Sequence, residues 1–119
     1  MYSAELLDHF QNPRNAGEIA GADATAEVEN PACGDVLRLN LKVIAGRITQ
    51  VRFKAKGCVA AIACGSALTE LLDGKTLDEA QKLTSEDIRS AVGGLPQASS
   101  HAAKLALEVL AAALGRISP

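Results

Sequence analysis

The chain has 119 residues, of which 48% are hydrophobic and 22% are charged, and its formal net charge is −2. This length and balance fit one globular domain with a substantial core and leave no room for a second domain. With two Phe, one Tyr and no Trp, the chain has neither the basic charge nor the aromatic platforms typical of nucleic-acid binding, which we exclude.

No apolar run approaches the ~20 residues that a membrane-spanning helix needs. The first ten residues carry Glu5 and Asp8 and lack the basic segment of a secretory signal. We therefore expect a cytoplasmic protein with no membrane partner. In that compartment the three cysteines are thiols rather than a disulfide framework, and packing, metal binding or reactivity must explain each of them.

The chain opens with a predicted short amphipathic helix over residues 3–11, which Ser3 caps and Pro13 ends. His9 lies in the middle of this helix, and we interpret it as a solvated surface residue. A loop over residues 14–24 follows.

Three segments with a period of two then predict β-strands. Their apolar positions are Ala26 and Val28, then Leu37, Leu39, Leu41 and Val43, then Val51, Phe53 and Ala55. A turn at Ala45-Gly46 joins the second strand to the third. Ile48 is out of phase with the third run, which predicts a β-bulge or a late strand start.

The rest of the chain predicts the helices that cover the apolar face of this sheet. We expect an Ala-rich helix over 59–73 ended by Gly74, short helices opened by Thr76 and by Thr84 or Ser85, and a last helix opened by Ser99 or Ser100 and ended by Gly115. Strands followed by helices indicate an α+β fold: a three-stranded antiparallel sheet covered by helices, two layers in a single domain over residues 1–119.

A thiol and a carboxylate occupy a tight turn between two predicted strands, in the sequence Pro-Ala-Cys33-Gly34-Asp35. Gly34 permits a positive φ, and two side chains on such a turn can point toward one ion. This segment by itself fits a plain hairpin turn with an incidental cysteine equally well.

Cys58 lies where the third strand ends and the Ala-rich helix begins. The unpaired N–H groups of a helix N-terminus favour a thiolate, and Lys54 and Lys56 would add to this effect if they lie close in space. Gly57 allows a close backbone approach at this junction. Taken alone, Cys58 fits a buried structural cysteine better.

His101 falls in the first turn of the last predicted helix, whose dipole favours a neutral imidazole that can bind a metal. Taken alone, a histidine at a helix start fits a solvated surface residue better. Cys64 lies roughly 120° around its helix from Cys58, among apolar neighbours, and we interpret it as a core residue unless that helix starts late.

Topology rather than spacing groups Cys33, Cys58 and His101, because a hairpin turn, a strand–helix junction and a helix start can meet at one end of a two-layer domain.

Three stretches of the chain resemble the U-type iron–sulfur cluster scaffold proteins, the family of IscU, NifU and SufU-like proteins. They are MYSAELLDHFQNPRNAGEI, NPACGDVLRLNLKV and FKAKGCVAAIACGSALTELLDGK, and the shared pattern runs to about residue 110. The resemblance implies a cytosolic scaffold rather than an enzyme. Such a scaffold assembles a [2Fe–2S] cluster with sulfur from a cysteine desulfurase and hands it to recipient apo-proteins, and it often also binds Zn²⁺. The sequence leaves open whether the chain forms a homodimer.

Carried over by position, the family's cluster- and metal-binding residues are Cys33, Asp35, Cys58 and His101. His101 matches the histidine that precedes the family's third cysteine, which is a ligand and a principal acceptor of persulfide sulfur. That cysteine is Ala102 here. We expect residue 102 near the surface, and we expect Ala102→Cys to improve persulfide acceptance.

The family's chaperone-recognition sequence, Leu-Pro-Pro-Val-Lys, reads Leu-Pro-Gln-Ala-Ser at residues 95–99. Handover through the dedicated Hsp70 chaperone is therefore doubtful. An alternative to the scaffold is a zinc-binding interaction module that has kept the fold but lost persulfide acceptance. A metal-dependent hydrolase ranks below both, because no Glu or second His is placed as a general base.

Overall fold

A computed structural model describes residues 1–117. The elements in chain order are α1 (Ala4–Gln11), β1 (Ala24–Asn30), β2 (Asp35–Ile44), β3 (Arg47–Lys56), α2 (Val59–Leu72), α3 (Leu77–Gln81), α4 (Ser85–Ala91), a 3₁₀ turn (Gln97–Ser99) and α5 (His101–Leu114). The strands form an antiparallel sheet in the order β1-β2-β3, which confirms the predicted α+β fold. In the described part of the chain no helix is long and apolar enough to cross a membrane.

The β2–β3 hairpin explains the phase of Ile48. Its two turn residues, Ala45 and Gly46, have φ values of 52° and 77°, as a tight hairpin turn requires. Lys42 pairs with Gln50, but Val43 pairs with Ile48, so one residue of β3 is left over and the register shifts. This bulge turns Ile48 into the core, where it is fully buried, and it confirms the bulge expected from the sequence.

Helices α2 and α5 cover the apolar face of the sheet. Small residues let α2 approach closely, because a Cβ added at Gly65 would lie 2.8 Å from the ring of Phe53. Thr76 and Thr84 open α3 and α4 with complete capping boxes, as their sequences predict. The last helix begins at His101, directly after Ser100, as predicted, but Ser100 makes no side-chain cap, because the 3₁₀ turn runs directly into α5.

The surface interpretation of His9 is also wrong, because α1 packs against α2 and leaves His9 only 6% exposed. Its Nδ1 atom lies 2.8 Å from the hydroxyl of Ser66, which also accepts the N–H of Arg14 at 2.9 Å, and its Nε2 atom lies 3.4 Å from Glu70. Burial lowers the pKa of His9, and the charge of Arg14 lowers it further, whereas Glu70 and Asp8 oppose this shift.

Candidate metal centre

Three chain segments meet at one end of the sheet: the β1–β2 turn, the β3–α2 junction and the start of α5. They bring Cys33, Asp35 and His101 together. The Nε2 atom of His101 lies 3.9 Å from the Cys33 sulfur and 3.3 Å from Asp35 Oδ2. One possible ligand atom from each of these three residues lies within 4.8 Å of the other two.

Asp35 is the centre of this cluster and is only 2% exposed. Its Oδ1 accepts the backbone N–H of Cys58 at 2.9 Å, and its Oδ2 accepts the Cys58 S–H at 3.2 Å. Burial of the carboxylate raises the pKa of Asp35, but hydrogen bonds from Cys58, Cys33 and His101 outweigh it and hold this pKa below its usual value. Asp35 therefore links Cys58 to the other two residues.

Gly57 is what allows Asp35 to lie against the chain beside Cys58. Its φ is +135°, and a Cβ atom at this position would lie 2.1 Å from Asp35 Oδ1 and 2.9 Å from the Asp35 Cα. The close backbone approach predicted from the sequence is present, and its purpose is to make room for the carboxylate.

Cys58 caps the N-terminus of α2, and its sulfur accepts the N–H of Ala61 at 3.4 Å. The predicted preference for a thiolate is wrong in this state. Burial raises the pKa of Cys58, and the hydrogen bond and charge of Asp35 raise it further, whereas the N–H groups of Ala61 and Ala60 lower it by less. In this arrangement Cys58 is a protonated thiol that donates to Asp35.

Cys33 and His101 form the open side of the cluster. Cys33 is exposed on the β1–β2 turn, where Gly34 has a φ of 76° and donates its N–H to Asn30 O at 2.7 Å. The side chain of His101 is 36% exposed at the start of α5. A metal ion or a partner protein can reach these two residues from solvent.

Cys64 and Ala102, the two positions that could supply a third thiol to the site, are both buried. Cys64 is fully buried, and burial raises its pKa to about 12, as expected of a core residue. Ala102 is 0% exposed, so the expectation that it lies near the surface is wrong. Because α5 begins at His101, residue 102 already belongs to the inward face of the helix, together with Ala103 and Ala106.

Sequence reasoning missed a cavity of about 290 Å³ beside His101. Its charged lining comes from Glu29 on β1 and from Lys104 and Glu108 on α5. The sequence does indicate that Lys104 and Glu108 lie on the same helix face as His101, because they follow it by three and seven residues. Nothing in the sequence places Glu29 there, because that contact depends on how α5 crosses β1.

The residues that lie within 4.8 Å of one another therefore offer one thiol, one imidazole and one carboxylate, and Cys58 lies outside this group but adjoins it through its hydrogen bond to Asp35. Cysteine sulfur suits iron–sulfur clusters and zinc, imidazole suits both metals, and a carboxylate is the hardest donor of the four. Such a mixed set can hold a metal ion or cluster, and its single hard donor makes it less strongly binding than an all-cysteine site.

The chain is similar to known proteins over almost its whole length. The family model described as the NifU-like N terminal domain matches residues 1–118. The protein named iron-sulfur cluster assembly scaffold protein IscU 1 from Archaeoglobus fulgidus is 46% identical over 114 residues, which is 96% of this chain and 74% of that protein. IscU from Aquifex aeolicus is 44% identical over 115 residues, 95% of this chain and 73% of that protein.

A solved structure supports the fold alone. The N-terminal NifU-like protein from Brucella abortus superposes with a TM-score of 0.80 at 21% identity, and the match covers 97% of this chain and 92% of that one. The resemblance seen in the sequence motifs is confirmed by the family model and by the identity to the two scaffold proteins. The chain belongs to the family of NifU-like N-terminal domains.

Proposed function

We propose that this chain is an iron–sulfur cluster assembly scaffold, which holds a cluster as cargo for transfer to recipient proteins. The observation that carries the proposal is the convergence of Cys33, Asp35 and His101 within 4.8 Å, with Cys58 hydrogen-bonded to Asp35. Its relatives from Archaeoglobus fulgidus and Aquifex aeolicus are named as such scaffolds. Binding and release of cargo require no turnover chemistry by the chain.

In the proposed site, Cys33 and Cys58 supply thiolates, His101 takes the place of the absent third thiolate, and Asp35 is the fourth donor. The cargo is a [2Fe–2S] cluster, and Zn²⁺ is an alternative occupant of the same donors. Binding releases the Cys58 proton, because only a thiolate is a metal ligand. Loss of that proton also removes the hydrogen bond that the Cys58 thiol donates to Asp35 Oδ2. This oxygen can then turn toward the metal.

Asp35 has the further role of keeping the cargo releasable. A hard oxygen donor is a poor partner for iron–sulfide chemistry. We therefore expect Asp35→Ala to slow the loss of a bound cluster, followed as the decay of visible absorbance after a chelator is added. Equal or faster decay in the variant would contradict this role.

The proposed partners are a cysteine desulfurase as sulfur donor and apo-proteins as recipients, in the cytoplasm. Sulfur transfer needs thiolate attack on a persulfide, which a histidine cannot perform. With Ala102 in place of the third thiol, we expect the chain to accept persulfide sulfur poorly, measured as the gain of one sulfur atom by mass. Efficient gain at Cys33, Cys58 or Cys64 would contradict this expectation.

Metal and sulfide analysis tests the proposal directly. Protein purified without oxygen should be brown and contain iron and acid-labile sulfide in equal amounts. A colourless protein that contains zinc and no sulfide, and that takes up no cluster when iron and sulfide are supplied, would contradict it.

A further inference from the structure

The outer edge of β3 is hydrogen-bonded along most of its length by other parts of the chain. At one end, Ile48 donates its N–H to Lys75 O at 2.8 Å and accepts from Gly74 N at 3.1 Å. In the middle, Phe53 donates to Asn15 O and accepts from Gly17 N, both at 2.9 Å. These contacts protect the edge from pairing with another strand.

Two outward-facing residues of this edge lack a backbone partner within residues 1–117. Val51 is bonded only through its carbonyl, which accepts from Arg52 Nη1 at 2.8 Å, whereas Ala55 is bonded at neither group. Ala55 lies two residues beyond Phe53, so its N–H and C=O point outward from the sheet in the same direction. Within residues 1–117 neither group has a hydrogen-bond partner. The loop that pairs with Phe53 leaves the edge at Gly17, where φ is 132°.

An apolar groove of about 310 Å³ lies beside this free edge. Its lining includes Pro13 and Ala16 from the loop, Phe53 and Ala55 from β3, and Ile62 from α2. The groove lies on the inner side of β3, since the side chains of Phe53 and Ala55 share that face.

The opposite face of the same edge is positively charged. Lys54 and Lys56 alternate with Ala55, are exposed, and form no ion pair with any residue of the described chain. The cross-strand neighbour of Lys54 is Arg38, which is already paired with Glu18 at 2.7 Å. The two lysines are therefore available to carboxylates of a partner.

We propose that this edge binds an extended segment of a partner protein, added to β3 as a fourth strand at Ala55. Successive side chains of a strand point to opposite faces. The residue opposite Ala55 would therefore enter the apolar groove, and its two neighbours would lie beside Lys54 and Lys56. The segment that fits is an alternation of acidic, apolar and acidic residues.

The position of the edge indicates what the partner does, a step that depends on the proposed function. Ala55 is followed within the same strand and junction by Lys56, Gly57 and Cys58. A partner strand bound at Ala55 would therefore continue past Lys56, and the residues at that end of the partner strand would lie beside Cys58. This arrangement suits a recipient protein that takes the cluster from the site.

Peptide binding to the metal-free full chain tests the inference by NMR and amide exchange. The probe is the acetylated and amidated peptide Gly-Asp-Val-Glu-Val-Asp-Gly, and its counterpart has Lys at the three acidic positions. We expect the acidic peptide to shift the amide signals of residues 53–57 and to slow exchange at Ala55. The lysine peptide should do neither.

Two sets of variants locate the binding. Ala55→Pro removes the outward N–H without removing a hydrogen bond to β2 and should abolish the shifts, whereas Ala55→Ser keeps the N–H and should retain them. Lys54→Glu with Lys56→Glu should raise the Kd for the acidic peptide by about fivefold or more, as expected for two exposed ion pairs. The control with the same change of charge, Lys82→Glu with Arg116→Glu, should leave it unchanged.

Absence of binding by the acidic peptide would overturn the inference, as would binding that the charge reversal leaves unchanged. Equal binding of both peptides would also overturn it. The charge-reversal pair decides the matter if Ala55→Pro does not fold. Because these measurements use metal-free protein, a chain that binds the peptide but forms no cluster would contradict the proposed function and not this docking edge.

Discussion

Gly57→Ala is the substitution that most directly tests how the site is built. The added methyl group would lie 2.1 Å from Oδ1 of Asp35 and 2.9 Å from its Cα. Asp35 is buried, so its carboxylate cannot avoid the methyl group by a small rotation into solvent. The clash with the Asp35 Cα also means that the backbone of β2 would have to move. The variant must therefore displace Asp35 from Cys58.

The expected cost has two parts. A non-glycine residue at a φ of +135° stores about 1–3 kcal/mol of backbone strain. Loss of the hydrogen bond from the Cys58 N–H to the charged Asp35 adds about 1.5–3 kcal/mol. The sum of about 2.5–6 kcal/mol is a large part of the ~5–15 kcal/mol that stabilises a typical domain.

Urea unfolding of metal-free protein measures this cost, and Gly94→Ala is the matched control. Gly94 has a φ of +99°, but a Cβ there would meet no atom within 4 Å, so this variant carries the strain without the clash. We expect the free energy of unfolding to fall by about 1.5–3 kcal/mol more in Gly57→Ala than in Gly94→Ala. Equal losses in the two variants would refute the close packing of Asp35 against Gly57.

The buried residues His9, Cys64 and Ala102 each have a measurable effect on stability or reactivity. Because folding lowers the pKa of His9, the unfolded chain takes up the His9 proton first as the pH falls below about 6.5. The contribution of His9 to the free energy of unfolding should therefore be complete above that pH and decline below it. His9→Gln should reduce this decline between pH 7.5 and 5. An unchanged dependence of the free energy of unfolding on pH would contradict the prediction. A thiol reagent should label Cys33 of the metal-free native protein well before Cys64, whose pKa is raised to about 12, and rapid labelling of Cys64 would show that α2 is misplaced. Ala102→Cys should lower the free energy of unfolding by about 1–3 kcal/mol, because it adds an atom to a packed core, and an unchanged urea midpoint would contradict that packing.

The elements of the fold follow from local patterns in the sequence. The period-two runs predict the three strands, and the phase of Ile48 predicts the bulge in β3. Thr76 and Thr84 predict the starts of two short helices because capping depends only on residues within one turn. The burial of His9 could not be predicted in this way, since it depends on contacts of α1 with Ser66 and Glu70 of α2.

The members of the candidate site could be named from the sequence, but their chemical state could not. The helix N-terminus favours a Cys58 thiolate, and its N–H groups do contact the sulfur. What reverses the outcome is burial together with the carboxylate of Asp35, which reaches Cys58 from a different strand. The depth of Ala102 likewise depends on which face of α5 packs against the sheet, which the pattern around Ser99 and Ser100 does not determine.

Titration of the metal-free protein with iron and sulfide under anaerobic conditions tests the central claim most directly. The visible absorbance of a cluster should appear in the wild type and in Cys64→Ala, which removes a buried thiol outside the proposed site. It should be lost or strongly reduced in Cys33→Ala, Cys58→Ala and His101→Ala. Full absorbance in the His101 and Cys33 variants, or its loss only in Cys64→Ala, would contradict a cluster site at this end of the sheet.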